Sequence, residues 1–172
     1  AAMAKAGLQL VRVFPLWPDF QPLVQHYTGS GRPRELRFGE YPLPHTEAGR
    51  AGVSEEAINK FRIVADIAEE HDIKLSIGLI TGWMSGRLFV PPAFERLNCL
   101  TNPMVIRWQV MFVKYFVKTF KDHKAIVGWG PGNECNCLGH LENHDQARNW
   151  MNTICSAIRS EDPTRPIISG MH

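Results

Sequence analysis

Apolar and polar residues along this chain fall into segments with alternating periods. Residues 8–14 (LQLVRVF) are an apolar run broken only by Gln9 and Arg12, and Pro15 and Pro18 stop it. Such a run predicts a strand buried on both faces, where a charge needs a partner; an Arg at a strand edge reaching solvent is the alternative. Before it, Ala- and Lys-rich residues ending in Gly7 predict the end of a helix. Ser54, followed by Glu55 and Glu56, is suited to cap a helix whose apolar positions Ala57, Phe61, Val64, Ala65 and Ala68 run to about His71. Residues 75–80 (LSIGLI) predict a second buried strand. Asn102-Pro103 open another helix, with Val105, Trp108, Phe112, Phe116 and Phe120 on its core face. A strand then begins at Ala125. Asn143 or Asp145 can cap a last helix, with Ala147, Trp150, Met151, Ile154 and Ile158 on one face. Residues 161–165 break it, and residues 166–170 (PIISG) predict a fourth strand.

Strands alternating with helices predict a parallel α/β sheet with right-handed crossovers. The segments after the strands are long and rich in proline, glycine and aromatics, above all residues 15–52, which show no convincing periodicity and read as one loop. Trp17, Phe20, Tyr27, Phe38 and Tyr41 could line a cleft or pack that loop onto the body. Long loops at the C-terminal strand ends point to a barrel whose active face lies there. Four strands are half of the eight that close it, so the expected fold is a partial (β/α)8 TIM barrel over residues 1–172, incomplete at both ends.

The stretch AIVGWGPGNE (125–134) carries the chemistry. Gly128, Gly130 and Gly132 remove side chains on one parity, as happens where another group approaches the backbone closely. The stretch ends in Asn133-Glu134, at the strand end where α/β folds place their reactions.

Composition narrows the classes further. Of 172 residues, 44% are hydrophobic, and the formal charge of +2 gives no reason to expect nucleic acid or an anionic membrane surface as partner. No apolar run approaches the length of a membrane helix. No signal peptide is visible, and the chain does not begin with Met, so compartment is left open. Four cysteines (Cys99, Cys135, Cys137, Cys155) are too few for a disulfide scaffold. No cofactor motif is found, since the glycines at 128, 130 and 132 do not match a dinucleotide fingerprint.

With the strands placed, four stretches together resemble the large clan of retaining (β/α)8-barrel glycoside hydrolases that includes family 5 cellulases and mannanases. VRVFPLW (11–17) resembles the second barrel strand, GLITGWMSGRLFVPP (78–92) the third strand and its loop, GWGPGNE (128–134) the fourth, and IRSEDPTRPIISGMH (158–172) the approach to the fifth. The resemblance implies that Glu134 is the general acid/base and that Asn133 hydrogen-bonds the sugar 2-hydroxyl. It implies that Arg12 supports the nucleophile, and that Trp17, Trp83 and His172 belong to the substrate site of an oligo- or polysaccharide with β-linked units. The nucleophile of these enzymes is a Glu on the seventh strand, which the matched stretches do not include. None of Glu35, Glu40, Glu47, Glu95 or Glu142 stands at a strand end to replace it. Trp83 stands where many relatives carry a His.

The expectation is therefore a glycosidase, or part of one, with the acid/base but not the nucleophile, so that the 172 residues alone have little activity and self-associate through open barrel edges. A non-catalytic sugar-binding remnant is the alternative. A third reading takes Cys135, Cys137, His140 and His144 (C-x-C-x2-H-x3-H) as zinc ligands, although the usual Cys-x2-4-Cys spacing is missing.

Overall fold

The computed structural model describes residues 2–170. In chain order they form α1 (Ala2–Lys5), β1 (Leu10–Val13), α2 (Trp17–Phe20), β2 (Leu23–Tyr27), β3 (Pro33–Phe38), β4 (Tyr41–Pro42), α3 (Glu47–Arg50), α4 (Glu55–Glu70), β5 (Lys74–Ile80), β6 (Trp83–Met84), β7 (Arg87–Leu88), α5 (Pro103–Phe120), β8 (Ile126–Gly132) and α6 (His144–Glu161). The parallel sheet runs β1-β5-β8, with Arg12 beside Ser76 and Gly78 beside Gly130. Each long helix starts where a side chain satisfies free backbone donors: Ser54 Oγ accepts from Ala57 N, Asn102 Oδ1 from Met104 and Val105 N, and Asn143 Oδ1 from Gln146 N.

The sheet's outer face carries Leu75, Ile77 and Leu79, all buried. Helices α4 and α5 cover it through an aromatic cluster in which Phe61, Phe116 and Phe120 have ring centroids 4.9–5.2 Å apart. Phe116 also meets Trp129 of β8 edge to face. Buried polar groups close the same layer. Gln109 accepts from Trp150 Nε1–H and donates to the Cys99 carbonyl, while Asp162 accepts from Trp129 Nε1–H. Gln109 is therefore fully buried where the expected core face had Trp108, which is only half-buried.

Two expectations need correction. Residues 15–52 are not one loop: β2, β3 and β4 form a small antiparallel sheet inside them. Its first turn is closed by Thr28 N–H to Arg32 O, with Gly31 at φ +74°. The strands are mostly half-buried or exposed, so apolar and polar positions do not alternate cleanly. The fourth strand is reduced to one bridge, Ile167 beside Trp129. Residues 166–168 still run parallel to β8, through Trp129 N–H to Pro166 O and Ile168 N–H to Trp129 O. Among the described residues no helix is long and apolar enough to cross a membrane.

Candidate active site

The sheet's other face has a graded row of side chains. Arg12 and the adjoining Phe14 are large, Ser76 and Gly78 small, and Gly128, Gly130 and Gly132 contribute none. A Cβ on Gly78 would lie 2.7 Å from the Phe14 ring, so Phe14 occupies the space that glycine leaves. The Arg12 guanidinium lies 4.7 Å from the Phe14 centroid, a cation–π arrangement, and its Nη2 donates to Gly132 O at 3.2 Å. Arg12 therefore reaches across β5 to the end of β8, one residue from Asn133, and forms no ion pair with a carboxylate among the described residues. It is exposed rather than buried.

The glycines of β8 serve strand packing more than ligand approach. A Cβ on Gly130 would meet Ile168 O at 3.0 Å, and one on Gly132 would meet the backbone oxygen of Ile80 far inside contact distance. Gly128 is the roomiest, with Pro166 O at 3.4 Å. The group that approaches these glycines is neighbouring backbone.

After Gly132 the chain leaves the strand sharply. Glu134 has φ 43° and ψ 50°, the left-handed region that a residue with a Cβ rarely adopts. The turn is held on its far side, where Cys135 N–H donates to Gly170 O and Cys137 N–H to Glu134 O within a short 3-10 helix, Cys135–Leu138. The Glu134 side chain is half-buried and makes no capping hydrogen bond. Among the described residues it has no hydrogen-bond or ion-pair partner. Backbone strain of this kind persists where the surroundings over-determine it, and functional sites are where it collects.

Asn133 Nδ2 donates to the Trp83 carbonyl at 3.0 Å, tying the β6–β7 hairpin to the end of β8. That hairpin turns through Ser85 (φ 52°) and Gly86 (φ 77°), two consecutive positive φ values as in a type I′ turn. The sequence reading missed it, although Ser-Gly between Trp83-Met84 and Arg87-Leu88 is a recognisable two-residue turn signal.

Of the residues expected at the site, Arg12, Asn133, Glu134 and the Trp83 backbone meet at the strand ends. Trp83 itself is half-buried. Trp17 is not. It is fully buried, stacked on Phe94 with centroids 5.7 Å apart, and its Nε1–H donates to Gln21. Gln21 in turn holds the carbonyls of Ala51 and Trp108. Trp17 thus anchors the loop from inside. His172 lies outside the described residues. Of the other carboxylates weighed as nucleophiles, Glu35 is occupied by Arg37 and Glu47 by Lys118.

The zinc reading finds no support in the geometry. Among the described residues no group of three or more His, Cys, Asp or Glu is gathered as ligands. Burial pushes the Cys135 thiol up to about 12. The grooves on the outer surface also lie elsewhere. One of about 580 Å³, between α2 and α4, is lined by residues such as Pro18, Phe20, Ser54 and Phe61 and contains none of the strand-end residues.

No family model matches the chain. It is similar to the probable mannan endo-1,4-β-mannosidase F of Neosartorya fischeri, with 26% identity over 131 residues, 74% of this chain and 28% of that protein. The mannan endo-1,4-β-mannosidase F of Aspergillus fumigatus is 25% identical over 131 residues, 74% of this chain and 30% of that protein. The chain thus spans under a third of the length of the curated relatives it matches. Among solved structures, a GH5_18 protein from Streptomyces cattleya in complex with GlcNAc superposes with a TM-score of 0.75 at 22% identity, over 98% of this chain and 36% of that one. An exo-β-1,4-mannosidase from Opitutaceae bacterium strain TAV5 gives 0.74 at 24% identity, over 98% and 26%. Sequence and fold together place the resemblance in glycoside hydrolase family 5, and the chain has the architecture of part of that family's (β/α)8 barrel.

Proposed function

We propose that these residues form the acid/base side of a retaining glycoside hydrolase site acting on β-1,4-linked glycans, with mannan the first substrate to test. The observation that carries the reading is the end of β8. There a strained, half-buried Glu134 with no capping partner stands beside Asn133, and Arg12 is brought to the same strand end without a carboxylate of its own among the described residues. Retaining hydrolysis uses one carboxylic acid to protonate the leaving oxygen and a second carboxylate, about 5 Å away, to attack the sugar. In this reading Glu134 is the acid and then, as the glycosyl intermediate is hydrolysed, the base. Asn133 contacts the sugar 2-hydroxyl, Trp83 offers its ring to an apolar sugar face, and Arg12 orients the attacking carboxylate. The attacking carboxylate is assigned to a residue beyond these 172. The mannanase names of the relatives support the choice of substrate.

The test is turnover of an aryl β-mannoside by the longest natural polypeptide that contains this chain. Hydrolysis reduced by several orders of magnitude in Glu134→Gln, with unchanged folding, is expected for a carboxylate acting in a cooperating pair. Glycan binding without turnover in that polypeptide would favour the sugar-binding remnant instead.

A further inference from the structure

Resting on that reading of the site, the packing behind Glu134 identifies what fixes its place. The peptide unit between Glu134 and Cys135 is bonded at both polar ends. Its carbonyl accepts from Cys137 N–H at 2.8 Å, and its N–H donates to Gly170 O at 2.9 Å. That plane sets the ψ angle of Glu134, and the second bond ties it to the segment running parallel to β8. The Cys135 side chain then turns back on the strand that the chain has just left. A Cβ on Gly132 would lie 3.1 Å from Cys135 Sγ, and one on Gly170 would lie 3.2 Å from it. The same Gly170 Cβ would collide with Gly132 O, so the two glycine backbones pack directly against each other. The sulfur fills the notch that two absent side chains leave, and Cys135 is fully buried there.

A notch of this kind measures its occupant. Interiors pack closely enough that a change of one methylene-sized group is felt. A larger side chain at 135 would push on backbone, Gly132 on one side and Gly170 on the other, and neither has a flexible end that can yield. A smaller one leaves the turn without support from inside. Gly132 also carries the carbonyl that Arg12 Nη2 reaches at 3.2 Å, so a shift there is passed on to Arg12. The thiol itself takes no part in proton transfer, because burial keeps it protonated. We propose that Cys135 is a positioning residue for Glu134: its sulfur sets the gap between the two glycine backbones, and with it the distance of the Glu134 carboxyl from the glycosidic oxygen. Misplacing a reacting group by about 1 Å can cost about a hundredfold in rate.

The experiment uses the longest natural polypeptide containing this chain and compares two aryl β-mannosides. The phenyl compound needs an acid for its leaving group, and the 2,4-dinitrophenyl compound does not. The ratio kcat/KM reports the step that ends with departure of the aryl group. Cys135→Val puts a second γ atom in the notch. It should lose about tenfold to a hundredfold in kcat/KM on the phenyl mannoside and stay within about twofold on the dinitrophenyl one. Cys135→Ala, the variant to use if Cys135→Val does not fold, is expected to lose on the phenyl mannoside alone. Cys135→Ser keeps one γ atom and should hold the ratio of the two substrates within about threefold of the parent. Equal losses on both substrates in Cys135→Val and Cys135→Ala would overturn the inference, because the damage would then be to the fold at large. A phenyl rate unchanged in both variants would overturn it too. Either result leaves the glycosidase reading standing. Failure of the parent to cleave either mannoside sinks the site reading and this inference together.

Discussion

Glu134 is held in a backbone conformation that its own chemistry disfavours, and substituting it should therefore separate folding from function. At φ 43° and ψ 50° its Cβ crowds the carbonyl that follows, at a cost of about 1–2 kcal/mol for a residue other than glycine. Asparagine tolerates this region better, since its short polar side chain bonds locally, so Glu134→Asn should recover roughly half of that, ~0.5–1 kcal/mol. Little is lost in exchange, because the Glu134 side chain makes no capping hydrogen bond and the Cys137 N–H to Glu134 O bond is backbone only. For a chain of this size the gain corresponds to a rise in Tm of about 1–4 °C, measured by circular dichroism at fixed protein concentration. Glu134→Gln keeps the shape and the strain but removes the charge, so its Tm should stay within about 1 °C of the parent. Equal stabilisation by Gln and Asn would refute the argument, because relief of charge rather than of backbone strain would then be the cause. A fall in Tm for Asn would refute it more directly.

Other predictions follow from the same geometry. Gly128→Ala should be tolerated within about 1 kcal/mol, since its Cβ finds room, whereas Gly132→Ala should cost about 3 kcal/mol or more against the Ile80 backbone. Urea denaturation checks both, and equal tolerance would restore the view that these glycines exist for a ligand. Asp162 is buried, which raises its pKa, but hydrogen bonds from Trp129, Thr164 and Arg165 outweigh this and hold the carboxyl well below the usual range. A depressed folded-state pKa contributes stability above the unfolded value, near 4, that is lost as pH falls towards the folded value. Asp162→Asn should therefore cost about 2–3 kcal/mol at pH 7, and the gap from the parent should narrow below about pH 4; a gap independent of pH would contradict this. The 172 residues expressed alone should self-associate, because among the described residues β1 pairs only with β5, and Leu10, Ile63, Val64 and Ile67 are exposed. A clean monomer by light scattering counts against that.

The alternation of strands and helices was legible because α4, α5 and α6 each carry a cap residue followed by apolar positions at helical spacing, and because β1, β5 and β8 are dense apolar runs. Glu134 and Asn133 were legible as a strand-end pair. Three things were not. The β2–β4 sheet has strands too short and too exposed to alternate. Trp17 could have gone to a cleft or to the core, and only the placement of Gln21 and Phe94 decides it. The commitment of Asn133 to the Trp83 carbonyl is a contact across fifty positions of sequence, set by a hairpin whose own turn signal was read as loop. The β8 glycines were noticed for the right reason, close approach, but what approaches is neighbouring backbone.

The central claim is that Glu134 delivers a proton to the glycosidic oxygen and then takes one from the water that attacks the glycosyl intermediate, and chemical rescue tests it most directly. Glu134→Ala, made in the longest natural polypeptide containing this chain, is assayed on a 2,4-dinitrophenyl β-mannoside, whose leaving group needs no acid. Without the base, breakdown of the glycosyl intermediate is slow, and azide, which needs no base, should attack it in the space left by the side chain. The account predicts that azide restores turnover and yields the β-mannosyl azide, with configuration retained. Turnover by the variant that equals the parent without azide, or an α-configured azide product, would contradict it.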